Sequence, residues 1–181
     1  MPSLFKKVVS RPLRRLAPYL NPRRKRYRYL RDAALVALFA FALLSYQQRN
    51  MISGEAPPLS GITTQGHQVT LEQGEVSLVY FWGTWCPICR VTSPMVDSVA
   101  KEHRVISIAV ASGSDNEINQ FMVEHSYQFA VISDSEALHQ DWGASVFPAI
   151  YIIDKQGQIR FKTSGATSSW GMKLRLLLAS W

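Results

Sequence analysis

The two cysteines of the chain lie in one short segment, Cys86-Pro87-Ile88-Cys89, shortly after an uninterrupted apolar run. The run, Ser77–Trp82 (SLVYFW), shows no alternation of polar and apolar residues and therefore predicts a strand buried on both faces. Residues 83–85 are predicted as a loop, and residues 87–103 as a helix that Cys86 opens. A buried strand that leads through a tight loop into a helix is a unit of α/β folds.

Apolar runs and helical periodicities alternate through the rest of the globular part. Strands are predicted at residues 105–111, 130–132, 149–153 and 159–163, helices at 116–125, 136–142 and 169–180, and an N-terminal β-hairpin at 61–71. Because strands alternate with helices before a final hairpin and helix, the pattern predicts a mixed β-sheet flanked by helices on both faces. The final helix is too short and too charged to cross a membrane, so we expect it to pack against the core.

Two cysteines at this spacing favour redox chemistry over a structural role. At a helix N-terminus the unpaired N–H groups and the helix dipole stabilise a thiolate, so Cys86 is the predicted nucleophile. Cys89 lies one turn later on the same side and is the predicted resolving thiol, while Pro87 suits the first helical turn. A disulfide that closes so short a loop would stabilise the fold very little.

A metal site is the competing interpretation of the same pair. Tetrahedral zinc needs four ligands, and the four histidines are scattered without a matching pair, so no metal ligand is assigned. Two thiolates are able to hold Cu(I), which leaves a metal-binding module that hands copper to a partner as an alternative function. The sequence gives no indication of an organic cofactor.

The net charge of +7 comes from one end of the chain. Residues 1–31 contain eleven Lys and Arg and no acidic residue, whereas the chain from Asn50 onward has a net charge of −4. Residues 33–46 (AALVALFAFALLSY) contain no charged residue. As a helix they rise about 21 Å, short of the roughly 30 Å hydrocarbon core, and Tyr29 and Leu30 extend the run. A nucleic-acid-binding arm does not explain this apolar run, and the positive-inside rule places the basic end in the cytoplasm.

We therefore predict four segments: a basic cytoplasmic tail (1–31), a transmembrane signal anchor (32–47), a linker (48–60) and a globular domain (61–181). A cleaved signal peptide is the alternative, because the apolar run has the length of a signal sequence. The small residues Ala40 and Ala42 lie inside the run, and Pro57 follows Ala56, so neither position is a good cleavage site. An uncleaved anchor places the globular domain outside the cytoplasm.

The neighbourhood of the dithiol, from Phe81 to Cys89, resembles the active site of thioredoxin-fold proteins. Pro94 lies eight residues after Cys86, and the segment Val146-Phe147-Pro148-Ala149 precedes a predicted strand, where that family has its cis-proline loop. Pro148 follows Cys86 by 62 residues, which implies a central helical insertion at about residues 115–142. With the N-terminal hairpin and anchor, the pattern resembles the TlpA/DsbE branch of periplasmic thioredoxin-like proteins, over about residues 57–181.

The resemblance implies a thioredoxin fold and a site in which Pro148 is cis and contacts Cys86. A client strand would pair with the backbone of Phe147, a form of β-augmentation. The residues of this substrate groove would be Trp85, Pro87, Ile88, Phe147 and Pro148.

The resemblance also implies thiol:disulfide oxidoreductase activity in a single-pass protein of the bacterial inner membrane, with a periplasmic catalytic domain. The partners would be protein clients and a membrane-embedded electron donor that re-reduces the pair. Client disulfides would be reduced or isomerised, and apocytochrome c cysteines, copper-site assembly proteins and damaged thiols are the expected client classes. An oxidase that donates its disulfide is the alternative, because Pro87 and Ile88 do not fix the redox direction.

Two positions depart from the family pattern. Many thioredoxins have a buried acid six residues before the first cysteine, where this chain has Tyr80, which cannot act as a base near neutral pH. Glu72 or Glu75, or else water, would then transfer protons to and from the second thiol. The second departure is Phe147, where a smaller residue is commoner and where a large ring makes the groove narrower or more apolar.

Overall fold

The computed structural model describes residues 22–134 and 137–181, and the chain divides into two compact units after residue 45. The predicted basic tail lies outside the described residues as far as residue 21. Helix α1 spans Pro22–Gln47 and thus begins well before the predicted anchor boundary at residue 32. The upstream Arg, Lys, Tyr and Leu residues are compatible with a helix, and Pro22 suits its first turn. Its stretch Arg26–Gln47 has the length and apolar composition needed to cross a membrane, as a signal sequence also has.

The second unit contains a six-stranded sheet in the order β1-β8-β7-β4-β5-β6. Strands β4, β5 and β6 are parallel, and β7, β8 and β1 extend the sheet antiparallel from β4. The strands are β1 Gly54–Glu55, β4 Ser77–Trp82, β5 Arg104–Ala109, β6 Ala130–Ser133, β7 Ala149–Ile153 and β8 Gln158–Ser164. A separate antiparallel hairpin pairs β2 Ser60–Ile62 with β3 Gln68–Thr70.

Four helices complete the unit: α2 Pro87–Ala100, α3 Asp115–Glu124, α4 Leu138–Asp141 and α5 Ser169–Ala179. Alternate residues of β4 point to opposite faces of the sheet, so Tyr80 lies in one core cluster and Phe81 in the other. Side chains of α2, α3 and α5 pack on the first face. The second face is covered by α4, by the β2–β3 hairpin and by residues 51–59. The mixed sheet flanked by helices is therefore confirmed.

The predicted bounds of β4 and β7 match the structure, because both strands are continuous apolar runs whose residues are all buried. The predicted hairpin at 61–71 is present, and its turn contains Gly66 in the left-handed region at φ +86°. The predicted helix at 136–142 begins at a residue outside the described part of the chain, and its described part is the single turn α4. The central insertion consists of α3, β6 and α4.

Residues 48–60, predicted as a linker, differ from that prediction from Met51 onward. Met51 and Leu59 are 5% and 1% exposed in the second core cluster, and β1 pairs with β8 at the sheet edge. Lys162 Nζ donates to the carbonyl of Met51 at 2.7 Å and to Ser53 Oγ at 2.8 Å. This segment has no apolar period of its own, because its two buried side chains are eight residues apart with Pro, Gly and polar residues among those between them. The globular unit therefore includes residues that the sequence pattern assigned to a tether.

Candidate active site: a disulfide at the start of helix α2

The loop between β4 and α2 is closed by Trp85. The indole Nε1 of Trp85 donates to the carbonyl of Val110 at 3.0 Å. A Cβ atom on Gly83 would lie only 2.6 Å from that nitrogen, so glycine is required for the indole to fold back over the loop. Ser112 Oγ accepts from the Thr84 N–H at 3.1 Å and donates to the same Val110 carbonyl. The loop is thus tied to the end of β5 before the chain enters α2.

Cys86 is the N-cap residue of α2, and Pro87 follows in the first turn. Its Sγ accepts the N–H of Cys89 at 3.2 Å, so the sulfur occupies the position of a capping oxygen. Cys86 and Cys89 form a disulfide, with Cα atoms 5.2 Å apart. They are 4% and 1% exposed, so the predicted nucleophile is the more accessible of two buried sulfurs. When the pair is reduced, the helix N-terminus stabilises a thiolate on Cys86 in preference to Cys89.

The antiparallel pairing of β4 with β7 brings the proline loop to the dithiol. Phe81, near the end of β4, lies opposite Ala149, the first residue of β7. The peptide bond between Phe147 and Pro148 is cis, as the resemblance implies. The carbonyl oxygen of Phe147 lies 3.8 Å from Cys86 Sγ, and the carbonyl of Pro148 accepts the N–H of Gly165 at 2.9 Å. The backbone beside the sulfur is thereby fixed from the next strand.

An apolar rim surrounds the disulfide. Trp85, Ile88 and Val91 are 53%, 49% and 59% exposed, although large apolar side chains are usually covered. Phe147 is half-buried, and its ring meets that of Trp85 edge to face with centroids 5.9 Å apart. Of the predicted groove residues, Pro87 is exposed and Pro148 is buried. The structure thus brings all five predicted groove residues together around Cys86.

His139 and Asp134 form a polar pair near Phe147, and no sequence pattern singles them out. His139 Nδ1 forms a short contact with a carboxylate oxygen of Asp134, whose side chain is fully buried. The His139 ring is 6.3 Å from the Phe147 ring, and both line a shallow cavity of about 570 Å³ with Asn50, Gln140 and Ser145. A carboxylate on one ring nitrogen fixes the tautomer and directs the other nitrogen outward. Asp134 directly follows β6 and His139 lies in α4, so the pair depends on the position of α4 beside the end of β6, which no local pattern indicates.

Tyr80 occupies the place of the missing buried acid. Its side chain is fully buried, and its hydroxyl forms a 2.9 Å hydrogen bond with Ser93 Oγ. Burial raises the pKa of Tyr80 well above that of an exposed tyrosine, although the hydrogen bond with Ser93 lowers it in part. The phenol is therefore neutral at physiological pH and donates or accepts a hydrogen bond without acting as a base. Ser93 lies one turn after Cys89 on α2, which places this hydroxyl pair beneath the second cysteine.

Glu72 and Glu75, the predicted proton-transfer residues, lie at the other end of β4. Both are exposed, and Glu75 forms an ion pair with Arg104 at 3.0 Å. They precede Ser77, whereas the dithiol follows Trp82, and six strand residues span roughly 20 Å. The structure does not bring them to the dithiol, because the whole length of β4 lies between them. Within residues 22–134 and 137–181, no cluster of three or more His, Cys, Asp and Glu has a metal-binding arrangement.

A disulfide that caps a helix, opposite a cis-proline loop and at the end of a buried central strand, defines the class of thioredoxin-like thiol:disulfide oxidoreductases. The match of a family model to residues 52–162 agrees with this geometry, and the chain belongs to the AhpC/TSA family. A thioredoxin-like protein of Haemophilus influenzae is 35% identical over 143 residues, which cover 76% of this chain and 85% of the relative.

Other relatives agree with this class. The thiol:disulfide interchange protein DsbE of Pseudomonas aeruginosa is 38% identical over 96 residues, covering 51% of this chain and 53% of that protein. The crystal structure of a thiol:disulfide interchange protein from Chlorobium tepidum has a TM-score of 0.62 at 22% identity. It matches 71% of this chain and 97% of its own, and at that identity the likeness supports the fold alone.

Proposed function

We propose that the protein reduces or isomerises disulfides of protein clients, with Cys86 as nucleophile and Cys89 as resolving thiol. The observation that carries the proposal is the position of Cys86 Sγ, which caps α2 and lies 3.8 Å from the carbonyl of Phe147. A helix N-terminus favours the thiolate, and the thiolate is the reactive form in disulfide exchange. A client strand that pairs with Phe147 would present its disulfide at that sulfur.

The proposed reaction has two exchange steps. The Cys86 thiolate attacks one sulfur of a client disulfide, which forms a mixed disulfide and releases the other client sulfur as a thiolate. Cys89 then attacks the Cys86 sulfur, closes the intramolecular disulfide and releases the second client thiolate. Two electrons pass from the enzyme dithiol to the client in each cycle. Attack by a different client thiol on the mixed disulfide would give isomerisation instead.

The exposed rim and the cavity next to it would bind the client. Trp85, Ile88 and Phe147 offer an apolar contact beside the sulfur, and Pro87 and Pro148 shape the ends of this groove. His139, held by Asp134, would offer one polar contact further along the same path. An extended client segment with an apolar residue next to its cysteine suits this arrangement. Apocytochrome c cysteines, copper-site assembly proteins and oxidatively damaged thiols are candidate clients.

We further propose that α1 anchors the protein in the bacterial inner membrane, with its N-terminus in the cytoplasm and the catalytic domain in the periplasm. The length and composition of the stretch Arg26–Gln47 support the anchor, and the eleven upstream cations support the orientation. Because that compartment is oxidising, a membrane-embedded dithiol donor would be needed to re-reduce the pair. Tethering would keep the domain close to such a donor and raise its effective concentration.

The reduction potential of the Cys86–Cys89 pair tests the direction of the reaction. Equilibration of the full chain in glutathione and dithiothreitol buffers, with the two redox states resolved by alkylation and mass, gives the value. A potential near that of thioredoxin, about −270 mV, is expected for a reductase. A potential near −120 mV would identify a strong oxidant and replace the reductase with a disulfide donor.

A further inference from the structure

Helix α5 carries apolar side chains on the face that the domain leaves uncovered. Its inner face packs into the core through Met172, Leu176 and Ala179. Five large apolar side chains on and just after the helix are more than half exposed, and we call them the outer face of α5: Trp170, Leu174, Leu177, Leu178 and Trp181. A helix that is apolar on all sides is ordinarily covered on all sides. The outer face is therefore a candidate contact surface.

The five side chains form one continuous surface. Trp170, Leu174 and Leu178 are spaced four residues apart, and Leu177 and Trp181 form a parallel row with the same spacing. The two tryptophans, 84% and 98% exposed, lie at the two ends and the leucines lie between them. Large contiguous apolar patches on soluble domains usually mark contacts with a protein or a membrane.

The charge of this segment is opposite to that of the rest of the domain. Residues 168–181 contain Lys173 and Arg175 and no acidic residue, whereas the chain from Asn50 onward has a net charge of −4. Lys173 Nζ contacts Glu102 at 2.8 Å, and Arg175 donates to Thr163 Oγ1 at 2.7 Å, so both cations are held beside the helix. Because Glu102 neutralises Lys173, the positive charge beside the apolar stripe is that of Arg175.

We propose that the outer face of α5 binds the surface of a lipid bilayer, with Trp170 and Trp181 at the headgroup level and the leucines in the outermost acyl region. Tryptophan is enriched at this depth because its ring is apolar and its N–H is polar. Helices that lie in the interface combine Leu and Trp on one side with Lys and Arg beside them, as α5 does. Anionic headgroups complement Arg175, whose hydrogen-bond partner is the neutral hydroxyl of Thr163.

A bilayer fits this face better than a second copy of the chain. A self-complementary interface places the same helix on both sides, and it gains specificity from paired opposite charges. The charged residues of α5 itself are both cations, and Lys173 is already paired with Glu102 of the same chain, so two copies of the helix would bring no free opposite charges together. The chain also contains the stretch Arg26–Gln47, which is suited to cross a membrane and would keep the domain near lipid. Weak affinity of the face is then sufficient, because a tether supplies an effective concentration in the millimolar range.

Tryptophan quenching in the full chain tests the proposal directly. The chain has five tryptophans, of which Trp82 and Trp142 are fully buried and Trp85 lies at the disulfide. In nanodiscs that contain lipids brominated near the headgroup end of the acyl chain, we expect quenching of the emission from Trp170 and Trp181. The replacement of both by tyrosine should abolish the quenching, whereas Trp85→Tyr, the matched control, should leave it in place.

A second variant pair tests the leucines and leaves the fluorescent side chains, Trp170 and Trp181, unchanged. Leu174→Ser with Leu177→Ser should abolish the quenching, and Ile62→Ser with Val123→Ser, at two other exposed apolar positions, should preserve it. Absence of quenching in the wild type, absence of the chain from the discs, or quenching that survives the α5 changes would each overturn the proposal. A stable dimer that the α5 changes dissociate would assign the face to a second copy. Disulfide exchange is not measured, so these outcomes are separate from those for the proposed reaction.

Discussion

At the scale of single residues, the two sulfurs of the site occupy unequal positions. Cys86 caps the helix and accepts an N–H at 3.2 Å, while Cys89 lies inside the first turn and is 1% exposed. An attacking thiolate needs both stabilisation and access, and a resolving thiol needs neither to the same extent. The fold therefore gives the two cysteines different surroundings, which agree with the roles proposed for them.

Serine substitutions separate these tasks. Cys86→Ser should remove client disulfide reduction, because the remaining Cys89 is 1% exposed and does not cap the helix. Cys89→Ser should retain the first attack and accumulate a mixed disulfide at Cys86, because the resolving step is lost. Turnover is measured with a protein disulfide substrate, and the adduct by intact mass under non-reducing conditions. Equal trapping at Cys89 in the Cys86→Ser protein would contradict the assignment.

Phe147 should affect protein clients and not small disulfides. Its ring packs edge to face on Trp85 and borders the cavity that contains His139. Because an aromatic contact contributes about 0.5–1.5 kcal/mol, Phe147→Ala should raise KM for a protein client by roughly 2- to 12-fold with little change in kcat. A small disulfide such as hydroxyethyl disulfide, which is too short to reach the ring, is the control. An equal loss for both substrates would show that Phe147 instead shapes the sulfur site itself.

Tyr80 should make the fold sensitive to alkaline pH. Burial raises the pKa of Tyr80 in the folded protein, whereas in the unfolded chain the phenol ionises near pH 10. The contribution of Tyr80 to the free energy of unfolding is therefore present below pH 10. Above pH 10 it falls by about 1.4 kcal/mol per pH unit. Tyr80→Phe loses the bond to Ser93, which costs about 1 kcal/mol at neutral pH. Tyr80→Phe should also make the free energy of unfolding fall less steeply above pH 10.

Urea unfolding at several values between about pH 8 and pH 11 measures this effect. Tyr151→Phe is a useful second variant, because burial also raises the pKa of Tyr151 and the decline should again become shallower. An unchanged pH dependence in both variants would show that other groups cause the alkaline loss.

At the scale of elements, continuous apolar strands were predictable and isolated core residues were not. β4 and β7 are buried on both faces, so every residue contributes to the pattern and the bounds follow from the sequence. The helix that begins at Cys86 followed from its proline and its position after a buried strand. Residues 51–59 contribute two buried side chains to the core, Met51 and Leu59, and two buried residues eight positions apart create no period. The His139–Asp134 pair depends on the position of α4 beside the end of β6, which is set by tertiary packing.

A variant pair tests whether residues 51–59 belong to the domain. Leu59→Ala should lower the free energy of unfolding by about 2–5 kcal/mol, because the side chain is 1% exposed and its loss leaves a cavity. Ile62→Ala, three residues later and 69% exposed, is the matched control and should change it by less than about 0.5 kcal/mol. Chemical denaturation of both proteins at one pH gives the comparison. If both changes had similarly small effects on the free energy of unfolding, this segment would be a tether and not a part of the domain.

At the scale of the whole molecule, charge and hydropathy divide the chain in the same place. Eleven cations precede the apolar part of α1, and the chain from Asn50 onward has the opposite net sign. A redox domain of this class has no need of a basic arm for its chemistry, and in the sequence the cations directly precede the apolar run. The division is typical of a protein whose two ends work on opposite sides of a membrane.

The orientation of the chain should therefore depend on its N-terminal cations. In spheroplasts of bacteria that express the full chain, a membrane-impermeant maleimide added after reduction should label the Cys86–Cys89 pair. Glutamate at Arg23, Arg24, Lys25, Arg26 and Arg28 should reduce that labelling strongly, because loop charge close to the membrane segment sets topology. Glutamate at Lys101, Lys155 and Arg160, far along the translocated domain, should leave labelling unchanged.

The intact mass of the labelled protein tests whether the anchor is cleaved. It should correspond to a chain that still contains the residues before the apolar run. A mass that begins after the apolar run would mean that α1 is a cleaved signal sequence and that the catalytic domain is released.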